Sequence, residues 1–184
     1  YYVKKGTRSD FRTQEYFTEI NKFKQGATVY MRLAELYLIA AEAWNEYEGP
    51  NGAHRDQIFN RLNAVRERAG LPTVQVSWGE YGINKFNEQV GLRDIIHREK
   101  TIEFMFEGHR FWDVRRWGTA IAEGWNDKPL AWVVLGETWQ EFFNNGQGPV
   151  VVWDDAYFNP ARDYLFPIKS EEAMISGIVQ NPGW

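Results

Sequence analysis

Residues 97–118 read HREKTIEFMFEGHRFWDVRRWG, with Glu99, Glu103 and Glu107 at every fourth position and Arg110, Asp113, Arg115 and Arg116 close behind. On a helix, residues four apart are neighbours, and like charges so placed repel by a few tenths of a kcal/mol per pair. At about 100° per residue the three glutamates share a face with Ile96, Arg110, Val114 and Trp117, which places carboxylates among core-facing side chains. An unanswered charge there costs several kcal/mol. The ladder therefore constrains the fold: whatever packs against 92–117 must bring cations to it. The expected suppliers are Arg110, at i+3 from Glu107, and Arg32, Arg66 and Arg68 from upstream.

Two helices precede it. From Thr28 to Tyr47, Leu33, Leu36, Tyr37, Ala40, Ala41 and Trp44 recur at helical spacing, and EGPNG at 48–52 stops the run. Over 54–69, Ile58, Leu62, Val65 and Ala69 form one stripe, and Gly70 followed by Pro72 is the stop expected of a helix C-terminus. The short link predicts an antiparallel hairpin with 92–117 lying against it. Its length, and the alanines that permit close approach, suit one tetratricopeptide-type unit. Residues 73–91 read as a loop, and 92–117 as a long third helix ended by Gly118. Its apolar residues point all round the axis, the pattern of a buried helix. Beyond Gly118 the helical rhythm is lost. Two β-like runs, LAWVVL at 130–135 and PVVVW at 149–153, flank a Gly-rich turn, NNGQG at 144–148. This predicts a small hairpin or a set of long loops. Residues 1–26 show neither period and read as an irregular or short-strand opening segment. The fold class is mainly α: a helical hairpin plus a long buried helix, with irregular loops and a small β element.

Composition excludes several functions. A net charge of −4, with 21 Lys and Arg spread along the chain, offers no basic patch for nucleic acid. There is no cysteine, hence no disulfide, thiolate nucleophile or Cys-type zinc site. The three histidines, His54, His97 and His109, form neither HExxH nor Glu-x-x-His, so no metal site is expected; His109 and Asp113, at i,i+4, suit a local hydrogen bond. No GxSxG or phosphate loop occurs, and no cofactor is implied. Glutamates four apart stand at roughly the 5–6 Å used by a retaining glycosidase pair. An acid catalyst needs a raised pKa, however, and carboxylates ringed by guanidinium are held ionised. No catalytic residue is assigned.

The unusual bulk feature is the aromatic content, 9 Trp, 9 Tyr and 12 Phe. Such residues either fill cores or make platforms for flat ligands such as sugars and bases. Trp78, Tyr81, Trp125, Trp132, Trp139 and Trp153 lie in loop-like, Gly-bearing segments where a ring can be exposed, and are the candidate ligand contacts. Trp44, Trp112 and Trp117 sit on helices expected to be packed.

EKTIEFMFEGHRFWDVRRWG at 99–118 resembles the C-terminal motif of the SusD/RagB family of nutrient-binding outer-membrane lipoproteins. YMRLAELYLIAAEA at 30–43, LNAVRERAGLP at 62–72, YLFPI at 164–168 and QNPGW at 180–184 follow the same family order, and YYVKKG at 1–6 looks like the strand before the hairpin. Lys100 stands where Arg is usual, Lys169 where a second Pro is common, and the segment around Ser176 lacks the usual Asn-Pro. The resemblance implies a single C-terminal domain over 1–184, a piece of a longer chain whose N-terminal portion carries a lipidated cysteine and earlier tetratricopeptide units. It implies a binding protein, not an enzyme, on the outer face of the outer membrane. There it would pass oligosaccharide, or in some members peptide, to a SusC-like TonB-dependent transporter, touching the membrane only through a lipid anchor. A carbohydrate-active enzyme using paired carboxylates is the rival from another class. The motif residues Arg32, Glu35, Arg66, Arg68, Glu99, Glu103, Glu107, Arg110, Asp113, Arg116 and Trp117 transfer as framework, not as ligand contacts.

Overall fold

The computed structural model describes residues 30–152 and 157–184. The opening segment, with its expected strand at 1–6, and Trp153 lie outside them. The described residues are mainly α, as expected, with one two-stranded sheet. The chain divides into two compact units, one ending at His109 and the other running Arg110–Trp184.

The first unit is the expected hairpin and what packs on it. Helix α1 spans Leu33–Glu48 and α2 spans Arg55–Arg68. The stop between them is local chemistry. Gly49 takes φ 74° and its N–H donates to the Asn45 carbonyl, and Pro50 cannot extend the ladder. Glu48 then holds the turn, accepting from the His54 backbone N–H at 2.5 Å, while the His54 ring stacks on Trp44 with centroids 3.6 Å apart.

Residues 73–91, expected as a loop, contain α3 at Val74–Glu80 and a 3₁₀ turn at Lys85–Asn87. The reason is a cap: the Thr73 side chain accepts from Val76 N–H, directly after Pro72 has set an extended entry. Seven residues give too few turns for a periodic signal, so the cap was the only readable sign.

Helix α4 spans Gln89–Glu103 and packs against α1. Leu38, Ala41, Ile58, Leu62, Val74, Leu92, Ile95 and Ile96 are fully buried between these helices. Each large member contributes about 1.5–3 kcal/mol by leaving water. Asn45 and Gln89 clasp the end of α1 to the start of α4: Asn45 Nδ2 donates to the Gln89 carbonyl at 3.0 Å, and Gln89 Nε2 to the Asn45 carbonyl at 2.7 Å.

The long buried helix over 92–117 is corrected by the structure. It ends at Glu103, turns through 104–108, and resumes as α5 over His109–Trp117. Phe106 adopts φ 65° and Gly108 φ 82°. The left-handed region suits glycine and is uncommon for a bulky residue. Two apolar faces that looked buried are consequently open: Ile102 is 52%, Phe106 72% and Trp112 60% exposed. Trp112, expected on a packed helix, is therefore a surface ring. An apolar-all-round pattern meant burial only if the helix ran straight, and it does not.

The second unit uses short elements. Strands β1 (Leu130–Ala131) and β2 (Val150–Val151) pair antiparallel, Leu130 opposite Val151. Between them lies α6, Trp139–Phe142, and further on α7, Ser170–Ser176. Val114, Ala120 and Phe158 form a small core, with Trp125 and Tyr164 against it. Asn126 fastens Phe158, accepting from its N–H at 2.5 Å and donating to its carbonyl at 3.1 Å. The tail is tied back by side chains acting as backbone. Gln180 accepts from Ile168 N–H and donates to its carbonyl, both at 2.8 Å, and Asn181 donates to the Phe166 carbonyl at 2.6 Å. The Trp184 indole N–H donates to the Leu165 carbonyl at 3.1 Å, with the Arg162 guanidinium 4.8 Å over its ring. YLFPI and QNPGW are thus the two halves of one fastening.

Candidate ligand-binding site

The charged ladder and the aromatic loops are the two places where the residue types suggested chemistry, and the structure treats them differently. Glu99 pairs with Arg66, both nearly buried. Arg66 also donates to the Pro72 carbonyl at 2.9 Å and to Ser77 Oγ at 2.8 Å, so the guanidinium is hydrogen-bonded on several sides. Glu103 accepts from Arg32 at 2.7 Å and from Arg68 at 2.7 Å. Glu107 receives a two-pronged contact from Arg32, with Nε and Nη2 each at 2.9 Å. Arg32 Nη2 also donates to the Glu103 backbone carbonyl at 3.1 Å, capping the C-terminus of α4 where the helix dipole favours a cation. One guanidinium thus ties the end of α4 to Glu107 within the 104–108 turn that contains Phe106.

Burial alone would push the Glu103 carboxyl up, but the hydrogen bonds from Arg32 and Arg68 outweigh it and hold the group below the ordinary carboxylate value. Burial likewise works against Arg32, and its bonds to Glu103 and Glu107 more than offset that, raising its pKa. A carboxyl held ionised is a poor proton donor.

Arg110, expected near Glu107, pairs with Glu123. Glu35 faces His109 across 3.8 Å, and Asp113 accepts from Arg116 at 2.9 Å. Arg116 lies 5.0 Å over the Trp117 ring. A further ionic cluster escaped the sequence reading: Lys100 and Glu42 meet inside the first unit at 3.3 Å, with His97 3.9 Å from the same carboxylate. Among the described residues, no group of three or more His, Cys, Asp or Glu side chains could hold a metal ion.

The aromatic candidates separate by environment. Trp78 packs against the core of the first unit, with Lys85 Nζ 4.7 Å over its ring. Trp125 packs edge-on to Phe158 at 5.8 Å and beside the Arg115 guanidinium at 5.1 Å. Both fill local cores. Tyr81 is 79% exposed just past α3, with no second ring beside it among the described contacts.

Trp132 and Trp139 are different, because α6 brings them together with two rings the sequence reading left out, Phe142 and Phe143. Trp139 stacks on Phe143 with centroids 5.6 Å apart and planes at 13°, and Trp132 meets Phe143 edge-on at 5.1 Å. Trp139 nevertheless stays 77% exposed. A recess of about 290 Å³ opens beside it, lined by Gly136, Glu137, Thr138, Trp139 and Phe142.

The ledge has a local cause. Thr138 and Glu141 form a capping box: Thr138 Oγ1 accepts from Glu141 N–H, and the Glu141 carboxylate accepts from Thr138 N–H, each at 3.2 Å. This one-turn helix aims residues at i, i+3 and i+4 to the same side, which is where Trp139, Phe142 and Phe143 fall. A side chain at Gly136 would bring its Cβ to 2.7 Å from the Phe142 backbone nitrogen, so the recess floor requires glycine. The string Thr-Trp-Gln-Glu was the readable signal, since Thr-x-x-Glu marks a capping box.

These features define a mainly α protein in which a helical hairpin carries arginine-bound carboxylates and a separate segment presents exposed stacked rings. The chain belongs to the SusD family, whose model matches residues 1–184. It is similar to SusD-like protein P2 of Formosa agariphila, 32% identical over 168 residues that make up 89% of this chain and 28% of the relative. SusD-like protein P25 of the same organism is 40% identical over 93 residues, 50% of this chain and 16% of the relative. The chain thus spans well under a third of the length of these relatives. No solved structure matches it. Among the described residues no helix is long and apolar enough to cross a membrane.

Proposed function

We propose that this chain is the C-terminal part of a non-catalytic glycan-binding protein that works at the outer-membrane surface, held there by a lipid anchor on the longer chain. In this reading it delivers oligosaccharide to a SusC-like TonB-dependent transporter. Membership of the SusD family supports the general role. The observation that carries the site is the Trp139 ring, 77% exposed and stacked on Phe143 beside the recess. The ring is free to meet a ligand, and a flat apolar face beside amides and a carboxylate is what a pyranose ring recognises. Trp132 acts as the edge-on support of the ledge, while Trp78 and Trp125 serve packing.

The non-catalytic reading rests on the ladder. Glu99, Glu103 and Glu107 are each bound by arginine, and Glu103 is depressed in pKa rather than raised. The test is affinity electrophoresis of the full-length protein in soluble glycans, with reducing-end release assayed in the same samples. Retardation by at least one glycan, lost in Trp139→Ala and accompanied by no release of reducing ends, is the expected result. Release of reducing ends that disappears in Glu103→Gln would overturn the non-catalytic reading. Retardation unchanged in Trp139→Ala would place the site elsewhere.

A further inference from the structure

The segment that builds the aromatic ledge has an unusual charge content. From Pro129 to Ala161 there is no lysine, arginine or histidine, while Glu137, Glu141, Asp154 and Asp155 supply carboxylates. That stretch alone therefore carries as much negative charge as the whole chain, whose formal net charge is −4. Elsewhere cations are frequent, 21 Lys and Arg in all, and they follow the acids closely in the helical frame. The segment that forms the ledge supplies none of them.

The local geometry adds to this. Glu137 lines the recess itself, and Glu141 is already engaged by the backbone N–H groups of Glu137 and Thr138, the first at 2.8 Å. The other polar groups near the ledge are uncharged, the Thr138 hydroxyl and the exposed amides of Gln140, Asn145 and Gln147. Amides and backbone groups suit hydroxyls, which both donate and accept. Carboxylate and sulfate groups need guanidinium or ammonium partners to offset their desolvation, and here they would instead meet like charge within a Debye length of about 8–10 Å.

We propose that the ledge selects uncharged oligosaccharides and discriminates against glycans bearing uronate or sulfate groups. The selection is negative as much as positive: stacking on Trp139 is available to any pyranose face, and the Glu137 carboxylate lining the recess, with no cation supplied by its own segment, rejects the anionic ones. This specificity rests on the reading of the ledge as the glycan contact, and its test separates the two.

The full-length protein and its Trp139→Ala variant are run in native gels containing neutral glycans (laminarin, xyloglucan, galactomannan, arabinoxylan) and anionic ones (polygalacturonate, alginate, chondroitin sulfate), at low and at physiological ionic strength. The quantity read is the part of the retardation that Trp139→Ala removes. Expected is a tenfold or greater loss of apparent affinity in at least one neutral glycan, insensitive to salt, and no Trp139-dependent retardation in any anionic one. Trp139-dependent retardation in an anionic glycan equal to or stronger than in the neutral ones overturns the selectivity while leaving the ledge as the site. Retardation that Trp139→Ala leaves untouched in every gel, or no retardation at all, overturns both. Because Trp139 is largely exposed, an unchanged melting temperature in the variant is expected and shows that lost retardation is not lost folding.

Discussion

The two units use the same kinds of residue to opposite ends. In the first, charges go inward: Glu99 and Arg66 are buried together, Lys100 meets Glu42 inside, and aliphatic side chains fill the space between α1, α2 and α4. In the second, the core is small, and large rings such as Trp139 are left facing solvent. Burying an ion pair contributes little net stability, and its partners become costly only when one is removed. An exposed ring contributes little to stability in either state. The difference teaches that the residues that looked most chemical, the glutamates, build the frame, while rings on which folding does not depend are left at the surface.

This contrast can be broken by mutation, and the largest effect belongs to the first unit. Glu99→Ala leaves the Arg66 guanidinium buried without its carboxylate and is expected to cost about 3–5 kcal/mol in urea unfolding followed by helical circular dichroism. A loss below about 1 kcal/mol would mean that the pair is not buried in solution. Leu62→Ala, in the fully buried stripe of α2, should cost about 2–5 kcal/mol through lost burial and the cavity left behind.

Arg32→Ala is smaller and more local. It removes the clamp across residues 104–108 and should cost about 1–3 kcal/mol, with amide exchange accelerating at Phe104 and Glu107 before the rest of α4. Arg32→Lys should fail to rescue it, because an ammonium cannot make the two-pronged contact to Glu107 while also reaching Glu103. Full rescue by lysine would reduce Arg32 to a point charge.

Acid should find the frame first. Glu103 is held below its unfolded value of about 4.3, so the stability it contributes is complete above that pH and is lost as pH falls through the lower folded value. Stability should therefore decline below about pH 4, and Glu103→Gln should flatten part of that decline. A decline of the same slope in wild type and Glu103→Gln would assign the acid sensitivity to other carboxylates. At the smallest end, Trp139→Ala should change stability by less than about 0.5 kcal/mol, as surface substitutions do. A loss of several kcal/mol would make the ledge part of a core and erase the contrast.

The hairpin, its stops at Gly49 and Gly70, and the demand that cations meet the glutamate ladder were determined by sequence, because period, caps and the cost of buried charge are local or pairwise rules. The small β element was legible only in part, since LAWVVL and PVVVW allowed a hairpin or long loops and only Leu130–Ala131 and Val150–Val151 pair. Which arginine meets which glutamate was decided only by the tertiary structure: Arg32, 75 residues away in sequence, grips Glu107, and Arg66 rather than a local cation meets Glu99 from 33 residues away. The break at 104–108 was likewise invisible to periodicity, because apolar residues on every side fit a straight buried helix and a bent exposed one equally well. The choice between core ring and exposed ring was also not in the local sequence. Trp78, Trp125 and Trp139 all sit in Gly-bearing stretches, and only the three-dimensional path puts the first two against cores and turns the third outward. Burial depends on what arrives from elsewhere in the chain, and no local pattern encodes that.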